Sequence, residues 1–394
     1  MVHQRPIHPL EPWNVSEDEF PAKGSMYDKL KFFLRYAILA PSIRNTQPWA
    51  FRILSNNTIE LYADTSRALT VVDPDGRQLI ISCGAALGYL QITINHFGYK
   101  YQTELLSASD EKKKDKRLLA KISINGGTES VSNNNNNNAT NKQRGNNTKT
   151  NLLQKEDGDR LFGAIPKRRT NRFRFEDRNI PDILLAGFYY ILDKCPQYQE
   201  QQEQQKGDER REEDPIWLHI VEETDTKNTL AELVARGDNI LLSDKNFVHE
   251  LIVSTRLNKN YGFRRGGMPG QALGISNFIS KISPYFQISK KQDEKDCQLA
   301  ATSSALVILG SYSDRVLDWI NTGMALTNIL LLASSENVSC SFLNQPIQVS
   351  KLRPKLLDAI GKEKGFPQIL LRMGYNSHKI APSPRRNIEE VLLH

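Results

Sequence analysis

The chain has 394 residues, 39% of them hydrophobic and 25% charged, with a formal net charge of +7. That is long enough for two to three average domains, or for one large core built from two similar halves. Four scattered cysteines (Cys83, Cys195, Cys297, Cys340), with no Cys-x-x-Cys and no His pair at metal spacing, argue against a disulfide framework or zinc site and fit a reducing compartment.

The opening Met-Val-His-Gln-Arg-Pro lacks a signal peptide's apolar stretch. No run approaches the roughly 20 apolar residues of a membrane span, so a cytoplasmic protein with no membrane partner is expected. The basic balance permits nucleic-acid binding, but no helix-turn-helix, zinc finger or RNP-like motif is present. The basic clusters at 167–172 and 385–386 are short and far apart, so they read as local anion sites rather than a nucleic-acid face.

In chain order, residues 1–24 are polar and Pro-rich, an arm expected to lie over the core. Apolar residues at helical spacing predict an amphipathic helix from Met26 to Leu39. A loop follows at 40–49. Phe51–Leu54 and Ile59–Tyr62 read as strands joined at Asn56-Asn57, a hairpin signal. After the turn Asp73-Pro74-Asp75-Gly76, Leu79 to Phe97 reads as a long buried helix whose Ser82, Gly84 and Gly88 allow close helix–helix approach. Cys83 within it reads as a core residue, and His96 at its end as a capping or surface residue.

Strands are predicted at Tyr99–Leu106 and Leu118–Ile124. An Asn-rich low-complexity insert at 126–158, with six consecutive asparagines from Asn133 to Asn138, divides the chain. Beyond it come the basic motif 167–172, a helix from Pro181 to Leu192, a Gln-rich insert at 196–214 and a strand at Ile216–Val221. Helices are predicted at Thr229–Leu242 and Asn246–Leu257, and a Gly-, Pro- and Ser-rich loop or lid at 262–296. A strand at Ala305–Leu309, an apolar helix from Leu317 to Ser335 and strands at Cys340–Leu343 and Gln368–Tyr375 complete the series. The two halves thus follow a comparable order, an indication of duplication.

Two stretches carry candidate chemistry. In the loop, Pro41 blocks helix continuation and the backbone must turn, which leaves Ser42, Asn45 and Gln47 on a stiff connection. Neutral donor/acceptor groups suit a ligand edge bearing carbonyls and ring nitrogens. The same residues are also ordinary in a Pro-rich turn that caps loose backbone ends. In Arg168-Arg169-Thr170-Asn171-Arg172, guanidiniums flank a hydroxyl, a set that suits phosphate, although a basic run is also a common solvated face. Arg385 and Arg386 form a third candidate anion site or a charged tail. Asp64, Arg67 and Asp73 read either as a polar cluster beside the loop or as a solvated turn.

Ala40-Pro41-Ser42-x-x-Asn45-x-Gln47-Pro48-Trp49 resembles the flavin-ring loop of the nitroreductase superfamily, and 168–172 resembles its Arg-Arg-Ser-x-Arg phosphate motif with Thr170 for Ser. Together with Gly76 to Leu87 and Arg372-Met373-Gly374-Tyr375 through Pro384-Arg385-Arg386, they are similar to its Acg-like two-repeat branch, over about 25–125 and 160–392. The resemblance implies an α+β nitroreductase-like fold: two fused repeats, 25–125 and 159–394, forming an intrachain pseudo-dimer with antiparallel-rich central sheets wrapped by helices.

It also implies FMN as cofactor and NAD(P)H as electron donor. Pro41, Ser42, Asn45 and Gln47 would lie at the ring and ribityl chain, and Arg168, Arg169, Thr170 and Arg172 at the phosphate, with Arg385 or Arg386 helping. The twin motifs of a second site are missing, so one flavin per chain and a monomer are expected. The activity implied is ping-pong hydride transfer to an electron-poor small molecule of nitroaromatic or quinone type. The flavin carries that chemistry, so no catalytic acid–base dyad is expected. Two alternatives stand: a non-catalytic FMN-sequestering protein with 262–296 as its lid, and a nucleic-acid-binding protein without flavin.

Overall fold

The computed structural model describes residues 10–106, 117–127, 156–193, 215–256, 268–269 and 296–393. The body of the Asn-rich insert, the Gln-rich insert and nearly all of the expected lid at 262–296 lie outside the described residues.

Helix α1 (Met26–Ala37) starts at a reciprocal cap, in which the Asp28 N–H donates to Ser25 Oγ and the Ser25 N–H to the Asp28 carboxylate. It ends two residues earlier than its periodicity suggests, in turns at Leu39 and Ala40 ahead of Pro41. Strands β1 (Trp49–Ile53) and β2 (Thr58–Ala63) form the expected hairpin, with Asn57 in the left-handed region. Helix α2 (Arg77–His96) begins two residues before the apolar pattern does. The buried Asp73 carboxylate accepts from the Gln78 and Leu79 N–H groups, both at 2.9 Å, which supplies the cap the pattern lacks. Strands β3 (Tyr99–Leu105) and β4 (Leu118–Gly127) complete the first sheet.

The second part contains α3 (156–164), α4 (Asp182–Asp193), β5 (Ile216–Val221), α5 (Thr224–Ser243) and α6 (Lys245–Ser254). A two-residue parallel pair, β6 (Thr255–Arg256) with β7 (Met268–Pro269), and the stretch α7 (296–301) follow. Then come β8 (Ala305–Ser311), α8 (Val316–Ser335), β9 (Ser339–Phe342), α9 (Gln345–Gln348), α10 (Arg353–Ala359) and β10 (Phe366–Gly374).

The two large sheets have strand orders β1-β2-β4-β3 and β5-β8-β10-β9, with every pairing antiparallel. Strand for strand this is the same order, first-second-fourth-third, and a 20-residue helix lies between the second and third strands of each. Those helices, α2 and α8, pack directly on each other. A Cβ on Gly84 would meet the Ile320 carbonyl oxygen at 2.3 Å, and one on Gly323 the Ile81 oxygen at 2.2 Å, so only glycine permits this approach. Thr327 Oγ1 donates across the seam to the Ala85 carbonyl at 3.0 Å. Both helices reach membrane-spanning length and apolarity, contrary to the sequence expectation, yet each is mostly enclosed by protein. Their apolar surface faces sheets and partner helix, which is why it looks uniform rather than one-sided.

The tail links the two sheets. After β10 the tail runs back to the first sheet, where the Phe51 N–H donates to the Val391 carbonyl and the Leu393 N–H to the Phe51 carbonyl. The segment after α3 pairs Thr170 beside Cys340 on β9.

Candidate functional site

The loop between α1 and β1 is held in an unusual backbone state. Arg44, Asn45 and Gln47 have φ of 43°, 56° and 51°, a left-handed conformation costly for residues with side chains and kept only where the surroundings enforce it. Those surroundings can be named. From α2, Ser82 Oγ accepts the Ile43 N–H and the Cys83 thiol donates to the Pro48 carbonyl. From α6, Glu250 pairs with Arg44 at 3.3 Å and accepts from the Val71 and Val72 N–H groups, while the Arg44 guanidinium lies over Phe247. Arg67 Nε donates to the Thr46 carbonyl at 2.6 Å. Within the loop, Ser42 Oγ accepts the Gln47 N–H.

The tail supplies the remaining clamps. Asn45 Nδ2 donates to the Pro384 carbonyl, and Asn45 Oδ1 accepts from Arg385 at 2.8 Å. Gln47, fully buried, accepts the Arg386 N–H on its Oε1 at 2.7 Å. Arg386 donates to the Gln47, Trp49 and Glu390 carbonyls and pairs with Asp64 at 3.5 Å. So Asp64 and Arg67 brace the loop and Asp73 caps α2.

Arg385 turns the other way. Besides Asn45 it donates to the Leu39 and Pro384 carbonyls, and it lies with Arg168, Arg169 and Tyr89. Arg168 Nε donates to the Tyr89 hydroxyl at 2.9 Å, and its Nη1 to Thr170 Oγ1. Burial lowers the Arg385 pKa to about 9 and the Arg169 pKa to about 10, with neighbouring guanidiniums adding to both shifts. Among the described residues none of these three arginines has a carboxylate partner, and the buried Arg385 Nε has no hydrogen-bond acceptor. Burial raises the Tyr89 pKa, so its hydroxyl stays protonated and can donate. Further buried polar atoms near the loop lack partners: Thr46 Oγ1, Trp49 Nε1 and, one helical turn before Ser82, Gln78 Nε2. Guanidiniums that repel one another are thus gathered beside a rigid polar loop, with Arg168 and Arg385 buried.

Of the candidates read from sequence, Ser42, Asn45, Gln47, Arg168, Arg169, Thr170 and Arg385 come together here. Arg386 faces Asp64 instead, and Arg172 lies with Asp296 and Arg372. The sequence reading missed Tyr89 and Trp13. A tyrosine in an otherwise apolar helix was the available signal for the first, because a buried phenol needs a polar partner. No His/Cys/Asp/Glu cluster able to hold a metal occurs among the described residues.

The chain is 34% identical over 370 residues, 92% of its own length and 95% of the relative's, to the Mycobacterium tuberculosis protein named "Putative NAD(P)H nitroreductase acg". A second protein of that organism with the same kind of name is 25% identical over 371 residues, 93% of this chain and 91% of the relative. Among solved structures, iodotyrosine deiodinase bound to FMN matches with a TM-score of 0.37 at 13% identity, over 58% of this chain and 95% of that one. The FMN-dependent nitroreductase NfnB from Mycobacterium smegmatis, in complex with NADPH, gives 0.34 at 14% identity, over 57% and 89%. At scores this low the family assignment rests on the sequence relatives. No family model matches the chain.

Proposed function

This chain belongs to the nitroreductase family, and on that premise we propose that it is an FMN-dependent oxidoreductase that draws hydride from NAD(P)H and delivers it to an electron-poor small molecule of nitroaromatic or quinone type. One observation carries the reading: Arg168, Arg169 and Arg385 gather around Tyr89 with no carboxylate among the described residues to balance them. Uncompensated charge in a protein interior costs on the order of several kcal/mol per ion, so the arrangement is stable chiefly when a multiply charged anion is present. A flavin phosphate matches that charge, and the strained polar loop next to it matches the flavin's polar edge.

Bound FMN would supply the two-electron chemistry. The chain's own residues would bind and orient. Arg168, Arg169 and Arg385 would grip phosphate oxygens, with the Thr170 and Tyr89 hydroxyls adding donors. Ser42 and the peptide edge of the loop would face the ring or ribityl chain. Asn45 and Gln47 would act through the tail, fixing the distance between the ring loop and Arg385. The shared strand order of the two sheets supports reading this as one site of an intrachain pseudo-dimer.

A second reading, an FMN-sequestering protein, draws on the burial of Arg168 and Arg385, which favours slow cofactor release. An absorption spectrum separates the readings. The enzyme reading expects a yellow protein, bleached by NADH or NADPH without oxygen and recoloured by a nitroaromatic or quinone. Yellow colour that persists under both nucleotides would favour storage. A colourless protein that takes up no FMN would overturn both.

A further inference from the structure

The N-terminal arm covers the guanidinium cluster. Trp13 sits at 4.1 Å from the Arg169 guanidinium and 4.8 Å from that of Arg385, ring centroid to central carbon, and its Nε1 donates to the Ser383 carbonyl at 2.7 Å. The indole is buried although it comes from a polar, Pro-containing segment. The arm is tied down on both sides of the short turn at Glu17–Glu19. Glu19 pairs with Arg35 at 2.8 Å. Glu17 meets His96 Nε2 at 2.9 Å, and Asp159 meets the other ring nitrogen at 2.6 Å. Phe20 stacks on Phe97 at 4.4 Å.

We propose that Trp13 is a positioning residue that makes the site selective for a phosphorylated flavin and slows its release. This rests on the FMN reading above. The indole face attracts two guanidiniums that repel each other, holding both in place before the anion arrives. Its hydrogen bond to Ser383 fixes the ring against the residue two before Arg385. By excluding water it also strengthens the attraction between phosphate and arginines. These effects act chiefly on the arginines assigned to the phosphate, so a flavin without phosphate should register little of them.

The test uses the full chain, with FMN and riboflavin as probes, and follows flavin release on dilution by recovered fluorescence. Trp13→Leu keeps apolar bulk and loses the π face. It should release FMN about tenfold faster, whereas Trp13→Phe, which keeps a ring, should stay within about threefold of the parent. Riboflavin affinity should be the same in all three. Should Trp13→Leu fail to fold, the double variant Glu17→Ala/Glu19→Ala, which unties the arm from His96 and Arg35, should speed FMN release by about threefold or more. Unchanged FMN release in these variants would overturn the inference alone, as would an equal loss for riboflavin, which signals a general packing defect. A parent protein that binds no FMN would overturn the functional reading as well.

Discussion

Adjacent arginines in the tail divide the work of the site. Arg386 reaches three carbonyls and Asp64, whereas Arg385 joins two other guanidiniums without any acid among the described residues. Substitution should therefore separate stability from affinity. Arg386→Met leaves the mostly buried Asp64 unpaired and should cost about 3 kcal/mol in a denaturant titration. Arg385→Met relieves repulsion but takes a donor from the buried Asn45 Oδ1 and Leu39 carbonyl, so the FMN-free protein should lose less stability than Arg386→Met does, while FMN affinity falls about tenfold or more, at least ~1.4 kcal/mol. Equal affinity for FMN in Arg385→Met would remove this residue from the phosphate site. The sequence marked both arginines alike, because a dipeptide does not reveal which partner each will face.

At the scale of elements, the α2–α8 seam joins the two parts of the chain, and a hydrogen-bonded cluster fixes the start of α8. Gly323→Ala would push a methyl group into the Ile81 carbonyl and the Ala85 N–H, and should destabilise by about 3 kcal/mol in the same titration. Just before α8, Asp314 accepts two hydrogen bonds from Arg353 of α10, at 2.6 and 3.0 Å, one from Gln368 of β10 and one from Trp319. Burial alone would raise its pKa, but these partners win and hold it at about 2. A folded pKa below the unfolded value gives stability that is present above the ordinary carboxylate range and lost as pH falls toward 2. Asp314→Asn should therefore cost about 2 kcal/mol at neutral pH, with the gap to the parent closing near pH 2 in acid unfolding curves. Helix positions were largely legible from periodicity, and their close approach from Gly84, Gly88 and Gly323. The start of α2 was not, because Asp73 caps it from four residues upstream.

For the whole molecule, two sheets of the same strand order lie on either side of the helix pair, and the tail of one completes the edge of the other. Among the described residues only the cluster of Arg168, Arg169 and Arg385 adjoins the strained polar loop, and the proposed function then predicts one FMN per chain. Flavin absorbance after denaturation, divided by protein concentration, should give a ratio near one; a ratio of two would contradict the single-site reading. If the chain is the intrachain pseudo-dimer proposed above, sedimentation should give the 44.8 kDa of one chain.

Sequence by itself determined the alternation of helices and strands, the loop at 40–49 and the basic motif at 168–172, because periodicity, proline and short-range polar patterning act over a few residues. Only the tertiary structure decided which arginines lack acid partners, that Tyr89 and Trp13 flank them, and that Asn45 and Gln47 lock the loop to the tail. Those assignments depend on groups as far apart as Asn45 and Arg385, separated by 340 positions. Whether a charge is balanced or bare is set by what the fold brings across that distance, and no local signal in the chain records it.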